Sequence, residues 1–136
     1  DRAIALSQAG EFVDKLPEGT EHRIAQMGRN VSGGQKQRLS IARALAREPE
    51  ILIFDDSFSA LDYRTDAKLR AGLEEQLAGT TKIIVAQRIS TIRHADEIIV
   101  LDRGEAVGMG THEELMQSCP VYREIAMSQL SAAELA

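Results

Sequence analysis

The sequence predicts an α/β fold on a mainly parallel sheet, and three observations predict it. Three short apolar runs rich in β-branched residues, "ILIF" (51–54), "KIIVA" (82–86) and "EIIVL" (97–101), have the length and composition of strands, the first two of them buried on both faces. Segments with helical spacing separate them, so the order is strand, helix, strand, short helix, strand, which calls for parallel pairing through right-handed crossovers. Asp55, Asp56 and Gln87 follow directly on the first two runs. Ligands of open α/β sheets gather at the carboxyl ends of strands.

Each element has its own signal. Residues 2–15 place Ile4, Leu6, Phe12 and Val13 among small and polar residues, which reads as helix with a break near Gly10. Pro17, Gly19 and Gly28 punctuate residues 16–30, so that stretch reads mostly as loop. Leu39, Ile41, Ala42, Leu45 and Ala46 recur at helical spacing within 34–47, and Pro49 stands just beyond, where a helix has already ended. A second helix is expected over 65–77, with Thr65 or Asp66 as N-cap and Gly79 after its end. "STIRHA" (90–95) reads as a short helix capped by Ser90. "RGEAVGMG" (103–110) reads as a turn and edge hairpin, and 112–117 and 119–130 as closing helices.

Bulk properties narrow the classes. The chain has 136 residues, 43% of them apolar, which suits one domain or a large piece of one and excludes a disordered chain. Sixteen basic against 21 acidic residues give a net charge of −5, which argues against a nucleic-acid partner held by overall charge. No run approaches the ~18 apolar residues of a membrane helix. The first residues carry no secretory signal pattern, and Asp1 already lies inside a helical pattern. Cys119 has no second cysteine to pair with and reads as packing. His22, His94 and His112 lack metal-ligand spacing and read as structural or surface residues. Arg38 and Arg43 read as surface-pairing residues.

Three stretches can carry chemistry. In Ser32-Gly33-Gly34 a serine and two glycines precede a helix. The first N–H groups of a helix have no internal acceptor and its dipole is positive there, so the stretch suits an anion. An ordinary N-cap serine with a flexible glycine pair has the same pattern. In "ILIFDD" an apolar strand ends in Asp55, a carboxylate placed to hold Mg²⁺ directly or through water, and Asp56 beside it can orient or deprotonate a water. A polar strand terminus followed by a turn is the plainer alternative. "SALD" (59–62) adds Asp62 in a loop, and Gln87 is either a ligand to phosphate or water, or a satisfied loop residue.

In order, "VSGGQKQRLSIARAL", "ILIFDDSFSALD", "KIIVAQRISTI" and "ADEIIVLDRGEAVGMGTHEEL" resemble the nucleotide-binding domain of ATP-binding cassette (ABC) transporters, from about residue 9 to 127. "LPEG", "GQKQRLSIARAL" and "GTHEEL" look most like the exporter branch. The resemblance implies a P-loop NTPase-like layered fold, ATP and Mg²⁺, and a position on the cytoplasmic face of a membrane. It implies membrane domains and a second nucleotide-binding domain as partners, and no nucleic acid. Ser32, Gly33, Gly34 and Gln35 match the signature motif, which in this family closes over the γ-phosphate of ATP held by the opposite domain. Asp55 matches the strand-end acid that supports Mg²⁺, the Walker B position. Asp56 stands where the family usually carries the glutamate that polarises the attacking water. Ser59 to Asp62 match the loop that signals between the two sites. Gln87 stands where a histidine usually contacts the γ-phosphate. On this reading residues 1–48 are a helical subdomain, 49–111 core strands and 112–136 C-terminal helices.

Three departures from the pattern carry weight. The chain contains no G-x-x-x-x-G-K-[ST] loop, so it reads as the C-terminal part of such a domain. Asp56 is one methylene shorter than glutamate. Gln87 cannot take up a proton's charge as histidine can. Gln26 also replaces an acid that exporters often show before the signature. Asp56 and Gln87 both weaken the site this chain would build with its own phosphate loop, while the intact Ser32–Gln35 would serve the other site. That pattern resembles one half of a heterodimeric multidrug exporter. A nucleotide-responsive dimerisation module, a DNA-repair or chromosome-maintenance ATPase, and a Mg²⁺-dependent phosphatase using Asp55 and Asp56 are the other readings. No heptads support the DNA-linked one, and the phosphatase leaves "SGGQ" unexplained.

Overall fold

The computed structural model describes residues 1–134, with side chains to residue 129. The expected closing segment 112–136 therefore runs two residues past the described ones. The chain forms two compact units, Asp1–Val85 and a second from Ala86 onward.

The first unit begins with α1 (Arg2–Leu6) and α2 (Gly10–Val13). The break falls just before Gly10. Gln8 takes a left-handed φ of 59°, Ala9 N–H donates to Ile4 O and Gln8 N–H to Ala5 O, which together close the end of α1. Two 3-10 turns, Gly19–Glu21 and Gln26–Gly28, interrupt the loop that follows. Then come α3 (Gly33–Leu45), β1 (Ile51–Asp55), α4 (Tyr63–Gln76) and β2 (Thr81–Val85). β1 and β2 pair in parallel, from Ile51 opposite Thr81 to Asp55 opposite Val85. Between them α4 supplies the long crossover that parallel strands need. Its N-cap is Asp62, whose carboxylate accepts the Thr65 N–H; Thr65 and Asp66 lie inside the first turn. The cap thus falls three residues earlier than the sequence pattern placed it.

Leu52 and Phe54 on β1 pack with Leu6, Ile41, Leu45, Leu69 and Leu73 from α1, α3 and α4, joined by Phe58 and Leu61. The expectation that the first two runs are buried on both faces is not met. Ile51 and Ile53 are 58% and 67% exposed, and Ile83 and Val85 are exposed beside them. α1, α3 and α4 contribute to one core, which takes alternate residues of β1, so the other face of the pleat is left open; Phe12 and Val13 of α2 pack with Ala9 in a cluster of their own. Arg38 is more than a surface residue. It donates to Gln8 O at 2.8 Å, pairs with Glu11 at 3.4 Å and lies 4.9 Å over the Phe12 ring.

The second unit contains α5 (Ile89–Ile92), β3 (Ile98–Asp102), β4 (Glu105–Gly110), α6 (His112–Ser118) and α7 (Pro120–Glu134). The N-cap of α5 is Arg88 and makes no side-chain cap, so Ser90 falls inside the helix. β3 does not extend a parallel sheet. It pairs antiparallel with β4 through Arg103 and Gly104, both at positive φ, as a two-residue hairpin turn demands. A register shift follows Val100. Thr111 and Glu114 form a capping box that starts α6. Ile98, Val100, Leu115, Cys119, Tyr122 and Ala126 make the core of this unit, with Cys119 buried as packing. His112 Nδ1 lies 2.8 Å from the Tyr122 hydroxyl.

Candidate functional site

The start of α3 is built by a reciprocal cap. Ser32 Oγ accepts the Gln35 N–H at 3.3 Å, and Gln35 Oε1 accepts the Ser32 N–H at 2.8 Å. The cap uses an acceptor site of the serine oxygen, not its hydroxyl hydrogen, which remains suited to donate to an anion. Gly33 and Gly34 follow as the first helical residues, where N–H groups lack intrahelical acceptors and the dipole is positive.

This helix end is pressed against the loop that leaves β1. A Cβ added to Gly34 would lie 3.0 Å from Ala60 O, and one on Gly33 would lie 3.7 Å from the Ala60 Cβ. Packing inside the chain therefore leaves little room for any side chain at Gly34. Phe58 and Leu61 anchor the loop in the core, and the Phe58 ring sits 5.1 Å from that of Phe54.

Asp55 ends β1 with an exposed side chain. Asp56 follows at φ 48°, in the left-handed region that costs a non-glycine residue on the order of 1 kcal/mol. Its backbone is held on both sides. Its N–H donates to Val85 O at 3.0 Å, and its carbonyl accepts from Ser59 Oγ at 3.0 Å and Ser59 N–H at 3.3 Å. A further donor to that carbonyl comes from α3, Gln37 Nε2 at 3.3 Å. Asp56 is thus exposed on a backbone held at both its N–H and its carbonyl.

Asp62 accepts from Thr65 with both oxygens, the N–H at 2.9 Å and the hydroxyl at 2.7 Å. The Thr65 N–H, then its hydroxyl, hold this carboxyl below the ordinary aspartate value. Ser32 to Gln35 and the loop Asp55–Asp62 are thereby brought together. Gln87 belongs to the second unit, where its side chain is exposed and its carbonyl accepts Gln129 Nε2 at 2.6 Å. Gln129 Oε1 in turn accepts the Ile89 N–H at 2.7 Å.

Carboxylate oxygens suit Mg²⁺, and Asp55 and Asp56 present them at a strand end. Among the described residues no group of three or more His, Cys, Asp or Glu forms a closed metal site. This donor set fits an ion that keeps one protein carboxylate and takes its other ligands from phosphate and water.

Gln37 was not singled out from sequence. The signal was there: Gly34, Gln37, Ile41 and Leu45 share one helix stripe, and Gln37 is the polar residue within it.

The ABC transporter family model matches residues 4–59. An uncharacterized ABC transporter ATP-binding protein of Mycobacterium tuberculosis is 50% identical over 131 residues, 96% of this chain and 22% of the relative. The ATP-dependent lipid A-core flippase of Shewanella frigidimarina is 41% identical over 129 residues, 95% of this chain and 22% of the flippase. The solved structure of a bacterial Atm1-family ABC exporter with ATP bound matches with a TM-score of 0.87 at 35% identity, covering 93% of this chain and 22% of that one. The chain spans about a fifth of the length of these relatives. With the parallel α/β arrangement and the glycine-bearing helix start beside a strand-end acid pair, the chain belongs to the ABC transporter family, as part of an exporter-type nucleotide-binding domain.

Proposed function

We propose that this segment takes part in the ATPase that drives export across a membrane, and that its signature stretch, Ser32 to Gln35, completes the ATP site of a second nucleotide-binding domain. The observation that carries the reading is the capped, glycine-bearing start of α3 lying against the loop after Asp56. In that role the Ser32 hydroxyl and the Gly33 and Gly34 N–H groups donate to the γ-phosphate held by the partner. The domain divides into a helical subdomain (1–48), core strands (49–111) and C-terminal helices (112–136), and works at the cytoplasmic face beneath the transporter's membrane domains. No nucleic acid takes part.

In the chain's own site Asp55 holds Mg²⁺, which when bound neutralises phosphate charge. Asp56 accepts a hydrogen bond from the attacking water, and Gln87 donates to the γ-phosphate. Asp62 keeps the inter-site loop in register with α4. Asp56 reaches one methylene less far than glutamate, and a misplacement of ~1 Å costs on the order of 100-fold in rate. Gln87 offers no imidazolium charge. The own site is therefore the slow one of a heterodimer, and the partner's site is the fast one.

Single-turnover ATPase of the assembled pair tests this. Asp56→Ala should leave most hydrolysis intact, whereas removing the partner's base should leave only the slow hydrolysis of the Asp56 site. Equal loss from both changes overturns the asymmetric reading. Unchanged hydrolysis after Ser32→Ala with Gly34→Val would instead favour a dimerisation module that binds nucleotide without turnover.

A further inference from the structure

The Gln37 side chain makes three hydrogen bonds to the loop Asp56–Ala60. Nε2 donates to Asp56 O at 3.3 Å and to Ser59 Oγ at 3.1 Å, while Oε1 accepts the Ala60 N–H at 3.0 Å. The two backbone groups fix the amide's orientation, because a carbonyl can only accept and an N–H can only donate. A side chain with both a donor and an acceptor at one end is needed here. Glutamate keeps the acceptor for Ala60 and loses the donor for Asp56. Methionine keeps the shape and loses both.

The contact matters because of where it lands. Asp56 is the strand-end residue in the left-handed conformation, and the other donors to its carbonyl come from Ser59 on the same loop. Gln37 ties that strained backbone to α3 itself. It sits one turn along the helix from Gly34, whose contact with Ala60 O closes the same interface. The loop and the start of α3 therefore move as one piece.

We propose that Gln37 is a positioning residue that sets the direction of the Asp56 carboxylate and couples it to the helix start facing the partner's nucleotide. The inference rests on the reading of Asp56 as the acid that orients the attacking water. Its role is to hold the αL turn at Asp56, so its loss lowers the rate of hydrolysis and not the affinity for nucleotide.

The test uses the full-length transporter assembled with a partner whose own base has been neutralised, so that single-turnover hydrolysis reports the site of Asp56. Gln37→Ala and Gln37→Glu should each lower the rate by ~10-fold at saturating MgATP, with the half-saturating concentration unchanged. Combined with Asp56→Ala, neither should lower it further, because coupled residues are non-additive. Gln37→Glu retains helix propensity and the Ala60 bond and removes only the donor shared by Asp56 O and Ser59 Oγ, so it serves if Gln37→Ala melts early. Full activity of Gln37→Glu, or an added loss on the Asp56→Ala background, overturns the inference. Asp56→Ala without effect overturns the underlying reading of Asp56.

Discussion

Gly34 and Ala60 approach so closely that a single added carbon at residue 34 would stand 3.0 Å from the Ala60 carbonyl oxygen. Gly33, one residue earlier, has 3.7 Å to its nearest neighbour. Alanine normally favours a helix over glycine by about 1 kcal/mol. Gly33→Ala should therefore leave the melting temperature of the full-length protein equal or raised. Gly34→Ala should lower it, because the α3 start must shift off the loop. The two melting curves, compared directly, check this; a lower curve for Gly33→Ala than for Gly34→Ala contradicts it.

Asp66 is 1% exposed and pairs with Arg70 at 3.0 Å on the next turn of α4. Removing one partner of a buried pair leaves the other charge uncompensated, at a cost of about 3 kcal/mol. Asp66→Ala should lower stability by about that amount in denaturant unfolding. Asp66→Ala with Arg70→Met should recover part of the loss. A double variant no more stable than Asp66→Ala contradicts the pairing argument.

Stability should fall at both ends of the pH scale for separate reasons. The Thr65 N–H and hydroxyl depress Asp62, and the Thr111 N–H and hydroxyl depress Glu114. A depressed carboxyl contributes stability that is present above the unfolded value near 4 and lost as pH falls through the lower folded value. Tyr122 goes the other way: burial first, then Glu113, raises its hydroxyl. Its contribution is present below about pH 10 and lost as pH rises through the raised folded value. Melting temperatures measured from acid to alkali should show both limbs. Asp62→Asn with Glu114→Gln should flatten the acid limb, and Tyr122→Phe the alkaline one.

The 136-residue segment by itself should bind MgATP weakly or not at all. No lysine-bearing phosphate loop is present to meet the β- and γ-phosphates, and Asp55 alone supplies too few ligands for the ion. Calorimetric titration reads this directly, and a micromolar affinity contradicts it.

Much of the architecture was legible in the sequence. The run "ILIF" and the acids after it marked β1 and where it ends, because β-branched runs bounded by turn signals have few other uses. Helical spacing found α3 and α4 to within two residues, and the order of the motifs named the family. Cap identities were less legible. Asp62 competes with Thr65 and Asp66 for the same role, and the choice depends on where the chain turns out of the loop.

Sequence alone determined the elements, the family and the residue types at each candidate position, since these follow from local spacing and motif order. Only the tertiary structure decided the rest. It showed that one face of β1 and β2 is covered and the other open, because α1, α3 and α4 share one core. Among the described residues it left β3 paired with β4 alone, in the hairpin that "RGEAVGMG" signals, where the order of elements called for a parallel partner. It placed Asp56 in a left-handed turn, Gly34 against Ala60, and the Gln37 amide across the loop between them. Those are contacts between segments far apart in the chain, and hydrophobic periodicity reports which face of an element is buried, not which atoms it meets.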